Sequence, residues 1–266
     1  MGMYAYNGFQ QMTAATTGVT SSDIYAGADQ KAVVTASTTS HPLRRKSHLT
    51  TSTKGDPMSS PRRALIVIDA QQEYFEGLLP IQYPARDESL TRIAEAMDVA
   101  EQAGIPVVVG QHQSPTGFPV FAPESSTFEL RPEIAKRANN VAHRFTKSFA
   151  SIFAGTGLEE WLRERGIDTI TIVGYMTNNC VIGSAAAAEP LGFTVEVLSD
   201  ATGAIDIVNS AGSAPAKRAH ETIMAVLNSN WAAVATTSAW TEAVTSGNAV
   251  AGDNLIESAA RGRDAR

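Results

Sequence analysis

From about residue 63 to residue 235, short apolar runs alternate with stretches in which apolar residues recur every three or four positions. Ala64-Leu-Ile-Val-Ile-Asp69 is a continuous apolar run, the pattern of a strand buried on both faces of a parallel sheet. Ile105-Pro-Val-Val-Val109, residues 141–144 and Asp168-Thr-Ile-Thr-Ile-Val173 predict three more strands. Phe193-Thr-Val-Glu-Val-Leu198, where apolar and polar positions alternate more, and residues 231–235 predict a fifth and a sixth. Between them, Leu90, Ile93, Ala94, Met97 and Ala100 fall on one helical face, and Gly104 and Pro106 stop that helix. Further helices are expected over residues 131–138, after a possible capping box of Thr156 and Glu159, over residues 179–189, and after Pro215. Strands alternating with helices imply an α/β fold. We expect a three-layer open sheet, mostly parallel, of six strands with helices on both faces. Sites in such sheets form at the carboxyl ends of the strands.

Residues 1–60 differ in character. They are rich in Ser, Thr, Ala and Gly and show no sustained apolar periodicity, so they are expected to be poorly ordered. The reading favoured over a targeting peptide is a disordered tail or an upstream extension ahead of Met58. Residues 61–245 form the expected domain, and residues 246–266 a C-terminal tail.

Composition narrows the function. The net charge of -6 offers no basic excess for phosphates, so nucleic acid is not the expected partner. No run of about 18 apolar residues is present, so no membrane span is expected. The single cysteine, Cys180, excludes an intramolecular disulfide and fits a reducing, cytoplasmic location.

The strand ends hold the candidate chemistry. Asp69 closes the first run; a carboxylate there is either paired for function or a cap or loop residue. Cys180 follows the fourth run in Val173-Gly-Tyr-Met-Thr-Asn-Asn-Cys180. Gly174 permits a turn, and Thr177 or Asn178 can cap the next helix. Cys180 then falls in a first helical turn, where the dipole and free N–H groups favour a thiolate. Lys147 follows the third run. A loop lysine is ordinarily a solvated charge, but Phe145, Phe149 and Phe153 suggest a partly apolar pocket in which an ammonium lowers a neighbouring thiol's pKa.

Three segments together resemble the isochorismatase-like cysteine hydrolases, which include nicotinamidases and N-carbamoylsarcosine amidohydrolase. They are Asp69-Ala-Gln71-Gln-Glu73-Tyr74-Phe75; Lys147 ahead of Ser151-Ile-Phe153 and Gly155-Thr156; and Gly174-Tyr-Met-Thr177-Asn-Asn-Cys180-Val181. The resemblance covers about residues 63–240. It implies a triad in which Asp69 accepts the thiol proton, Lys147 stabilises both anions and Cys180 attacks a carbonyl to form a thioester. It also implies a cis peptide between Tyr175 and Met176, and an oxyanion hole from the N–H groups of Met176 and Cys180. No cofactor is implied. Nicotinamidases add an Asp-x-His element and a further histidine that bind metal. Here Gly110-Gln111-His112 lacks the aspartate, and His41, His48, His143 and His220 show no ligand spacing, so we expect no metal and disfavour nicotinamide. His112 reads as a loop or pocket-lining residue.

The substrate pocket is expected to involve Tyr74, Phe75, Gln111, Phe149 and Tyr175, with Phe118 and Phe121 as further candidates. The stretch Glu76-Gly-Leu-Leu-Pro-Ile-Gln-Tyr-Pro84 resembles a branch that includes hydrolases of streptothricin-type lactams. The expected reaction is therefore hydrolysis of an amide or lactam of a small molecule. The alternatives are vinyl-ether hydrolysis of the isochorismatase type, which needs no thiol, and a non-catalytic binding member. Relatives of this kind form homodimers or homotetramers, and the same is expected here.

Overall fold

The computed structural model describes residues 60–265; the expectation for residues 1–60 thus falls almost wholly outside the described residues. Six strands form one sheet in the order β3-β2-β1-β4-β5-β8, with every pairing parallel. They are β1 Arg63–Ile68, β2 Val107–His112, β3 His143–Lys147, β4 Thr169–Tyr175, β5 Thr194–Gly203 and β8 Ala233–Ala235. The central strands β1 and β4 are buried at every residue, as their unbroken runs predict. The edge strand β3 alternates and so reads weakly in sequence.

Successive residues of β1 feed opposite layers. Leu65 and Val67 pack with α1 (Arg86–Gln102), α2 (Pro132–Arg137) and Trp240 of α6 (Thr237–Ser246). Ala64, Ile66 and Ile68 pack with α3 (Leu158–Glu164), α4 (Ile182–Ala188) and α5 (Ala216–Asn230). The result is the expected three-layer sandwich. The chain winds outward from β1 through β2 to β3, then returns to the other side of β1 at β4. This switch point opens a crevice at the carboxyl ends of β1 and β4.

Gly174 is required where those two strands meet. It pairs with Ile68, adopts φ +102°, and a Cβ there would lie 2.0 Å from the Ile68 carbonyl oxygen. The turn role expected of it is therefore secondary to close backbone approach.

Three features escape the periodicity. A hairpin of β6 (Ile207–Asn209) and β7 (Gly212–Ala214) follows β5, α6 follows β8, and α7 (Leu255–Asp264) lies in the expected tail. That tail is tied to the domain. The buried Arg63–Glu196 pair, 2.8 Å apart, also binds the Asn248 carbonyl and the Val250 N–H, and Asp253 N–H bonds Asn228. Polar anchoring of this kind leaves no apolar repeat to read. Among the described residues no helix is long and apolar enough to cross a membrane.

Candidate active site

Asp69 is the first residue past β1, and Cys180 lies in the turn after β4, so the two flank the switch-point crevice. Asp69 has a left-handed backbone, φ 51°, uncommon for a residue with a side chain. Its N–H still bonds the Gly110 carbonyl at 2.9 Å, which holds the turn against β2.

Lys147 is the last residue of β3, paired in register with His112 at the end of β2. Its side chain reaches back past β2. Nζ lies 2.7 Å from Oδ2 of Asp69, with both side chains wholly buried. The same ammonium donates to the Phe149 carbonyl at 3.2 Å and to Sγ of Cys180 at 3.3 Å, and lies 3.4 Å from Nδ1 of His112. Three N–H groups thus face four polar neighbours. The contact with Asp69 is an ion pair poorly aligned for a hydrogen bond; among the described residues neither carboxylate oxygen has a well-directed donor. The acid is held by charge, with lone pairs left over for a proton. Lys147, read from the residues alone as a loop charge, is thus the hub of the cluster.

Burial sets the charges. The Cys180 thiol is 1% exposed, and burial pushes it up to about 12, with Asp69 adding to the rise and Lys147 only partly opposing it. This corrects the expected depressed thiol: the sulfur sits in the core beside a carboxylate, not at an open helix terminus. Burial pulls Lys147 down, but the facing Asp69 and Cys180 more than restore it, leaving it raised. Burial likewise lowers His112 to about 4, so its imidazole is neutral at pH 7.

The turn bearing the thiol differs from the expected helix start. Residues Thr177–Val181 form a π-type turn before α4, and the capping position is Met176. Thr177 and Asn178 do not cap. The Thr177 hydroxyl lies 2.9 Å from Nδ1 of His220, and Asn178 Nδ2 is 3.4 Å from the Ile205 carbonyl. The peptide between Tyr175 and Met176 is cis. Among the described residues the Met176 N–H makes no backbone hydrogen bond.

The pocket residues separate. Tyr74 packs at a tilt against Phe121 and Tyr175 at 5.4 Å each, and burial, then Cys180 and Asp69, raise its hydroxyl well above the ordinary range. Tyr74, Phe75 and Tyr175 all belong to the buried core, with the Tyr175 hydroxyl 2.9 Å from Ser89 Oγ. Gln111 is spent on the Phe128 carbonyl and Arg144. Phe149, 51% exposed, lies beside the lysine through its backbone. His112, expected as a loop or pocket-lining residue, joins the cluster through its contact with Lys147 and packs on Phe121 at 5.0 Å. Gln71 secures it, accepting its N–H at 2.7 Å and donating to its carbonyl at 3.0 Å.

Donor atoms of Asp69, His112 and Cys180 lie within 4.8 Å of one another, a spacing that suits a metal ion. The ammonium of Lys147 already contacts all three, so a divalent cation there would meet a fixed positive charge. His143 stacks on Trp161 and His220 faces Thr177, so neither joins the cluster. Among the described residues, the donors present do not fit the metal centre of nicotinamidases.

The isochorismatase domain model matches residues 63–239. The chain belongs to the isochorismatase family of hydrolases. An isochorismatase-family crystal structure from Burkholderia xenovorans LB400 is 47% identical, with a TM-score of 0.75 over 78% of this chain and 100% of that one. The secreted isochorismatase effector Isc1 of Verticillium dahliae is 33% identical over 56% of this chain and 76% of its own length. Nicotinamidase 3 of Arabidopsis thaliana is 29% identical over 56% of this chain and 76% of its own.

Proposed function

We propose that the protein hydrolyses a C–N amide bond, open-chain or cyclic, of a small molecule, with Cys180 as nucleophile. The observation that carries this reading is one ammonium, Lys147, in contact with both a buried carboxylate and a buried thiol. The amide class draws further support from the nicotinamidase relative.

In the resting site one proton stays on sulfur, because burial disfavours the thiolate. As the substrate carbonyl arrives, that proton moves to Asp69 while the S–C bond forms. Lys147 balances the new sulfur charge until the bond is made. The carbonyl oxygen becomes an oxyanion facing the N–H groups of Met176 and Cys180. Collapse breaks the C–N bond, and the leaving nitrogen takes the proton from Asp69. Water then attacks the thioester with Asp69 as base, releasing a carboxylic acid and restoring the thiol.

The test is a screen of primary amides, N-carbamoyl compounds and lactams, including one of the streptothricin type, against the wild type and Cys180→Ala. Turnover lost by about a thousandfold or more in Cys180→Ala, with folding retained, is expected. Retained turnover would overturn the thiol mechanism; a wild type inert on every compound would overturn the amide reading and favour vinyl-ether hydrolysis or a binding role. A homodimer or homotetramer belongs to the same proposal, to be read by sedimentation.

A further inference from the structure

We propose that His220 is a positioning residue for the thiol turn, holding Thr177 so that the Met176 and Cys180 N–H groups converge on one point. The inference rests on the thiol mechanism above.

Two side-chain ties meet at this turn. Thr177 is fully buried and is its first residue, directly after Met176 and three before Cys180. Its hydroxyl lies 2.9 Å from Nδ1 of His220, which is 4% exposed and rises from α5. Burial lowers the His220 imidazole, while the Ser199 backbone and Glu221 favour its protonated form. Within this proposal Nδ1 is assigned as the acceptor of the Thr177 hydroxyl proton, with the ring proton on Nε2.

His220 therefore joins α5 to the turn after β4. The Tyr83 ring packs edge-on against the imidazole at 5.5 Å and limits its tilt. Asn178 supplies a second tie to Ile205, so consecutive side chains pin the turn from one side. The Thr177 hydroxyl is turned to the imidazole, and among the described residues neither side chain hydrogen-bonds Asp69, Lys147 or Cys180. Their effect falls on the direction of the two N–H groups. Attack on a carbonyl depends on those donors, whereas displacement at an alkyl halide does not.

That difference supplies the assay. Cys180 is the only cysteine, so p-nitrophenyl acetate can report acylation through its burst of p-nitrophenolate and iodoacetamide can report alkylation by mass. In Thr177→Val, near-isosteric but without the donor, acylation should slow about tenfold or more, while alkylation changes less than threefold. Thr177→Ser keeps the donor and should stay within threefold on both. His220→Asn places an acceptor oxygen near the Nδ1 position and should recover most of the acylation lost in His220→Leu. The double variant Thr177→Val, His220→Leu should be no worse than the poorer single, since both remove one bond. Acylation within twofold of wild type in Thr177→Val, equal losses on both probes, or additive losses in the double variant would each overturn the inference. If His220→Leu does not fold, the Thr177 pair decides alone. A wild type that iodoacetamide alkylates but the ester does not acylate, or a burst that survives in Cys180→Ala, would overturn the underlying mechanism and with it this role.

Discussion

Consider Lys147→Met, which keeps the unbranched apolar stem and deletes the charged end. Asp69 is wholly buried, and among the described residues its 2.7 Å contact with Nζ is the one ion pair it makes, with no well-directed donor to either carboxylate oxygen. Removing one member of such a pair leaves an uncompensated buried charge, with a cost of about 3–5 kcal/mol. For a domain of this size that is a fall in Tm of roughly 6–20 °C. Asp69→Asn is not the mirror image. The ammonium then keeps the Phe149 carbonyl at 3.2 Å, the sulfur at 3.3 Å and the His112 nitrogen at 3.4 Å, so the loss should be about 1–3 kcal/mol. The double variant removes both charges and should lose less than the sum of the singles. Urea denaturation at pH 7 reads all three, with unchanged m-values as the check on two-state behaviour. If Lys147→Met costs under about 1 kcal/mol, or less than Asp69→Asn, the pair is not the dry, charge-held contact described above.

Other expectations bear on the same region. Iodoacetamide should modify Cys180 slowly at pH 7, with the rate inflecting above the free-thiol value of about 8.5, because burial and Asp69 raise the thiol; an inflection below it would refute the neutral resting sulfur. The buried His112 should make stability fall as pH drops from about 6.5 toward 4. The unfolded chain binds that proton first, and the gap is at most about 3 kcal/mol. His112→Gln should flatten this limb in calorimetry, and an unchanged slope would show the imidazole is not the cause. Gly174→Ala drives a methyl to 2.0 Å from the Ile68 oxygen at φ +102° and should cost about 3 kcal/mol or more, or abolish soluble protein. Near-wild-type denaturation would mean that β1 and β4 approach less closely than described.

The layers were legible because β1 and β4 are buried on both sides, and nothing but a central strand explains an apolar run such as Ala64 to Ile68. Edges and anchors were less so. α6 is fixed by Trp240, whose indole N–H donates to Glu196, itself 133 residues from its partner Arg63; no local window holds such a contact. The triad's identities were available from motifs at strand ends, but its electrostatics were not. A cysteine after a strand and before a helix reads as an activated thiol if the helix begins at Thr177 or Asn178. Both side chains instead have tertiary partners, the helix starts at Ile182, and the sulfur drops into the core.

The consequence reaches the chemistry. A standing thiolate would need the ammonium alone; under the proposed mechanism a buried thiol needs the Asp69 carboxylate as well, to take its proton. Under this arrangement Asp69→Asn and Lys147→Met should fail differently. The first should lose acylation while keeping an alkylable sulfur at high pH. The second should lose both, because no counter-charge remains for the sulfur as it ionises. Acylation of the two variants at comparable rates would mean that the carboxylate is not the proton acceptor, whatever its distance from the lysine.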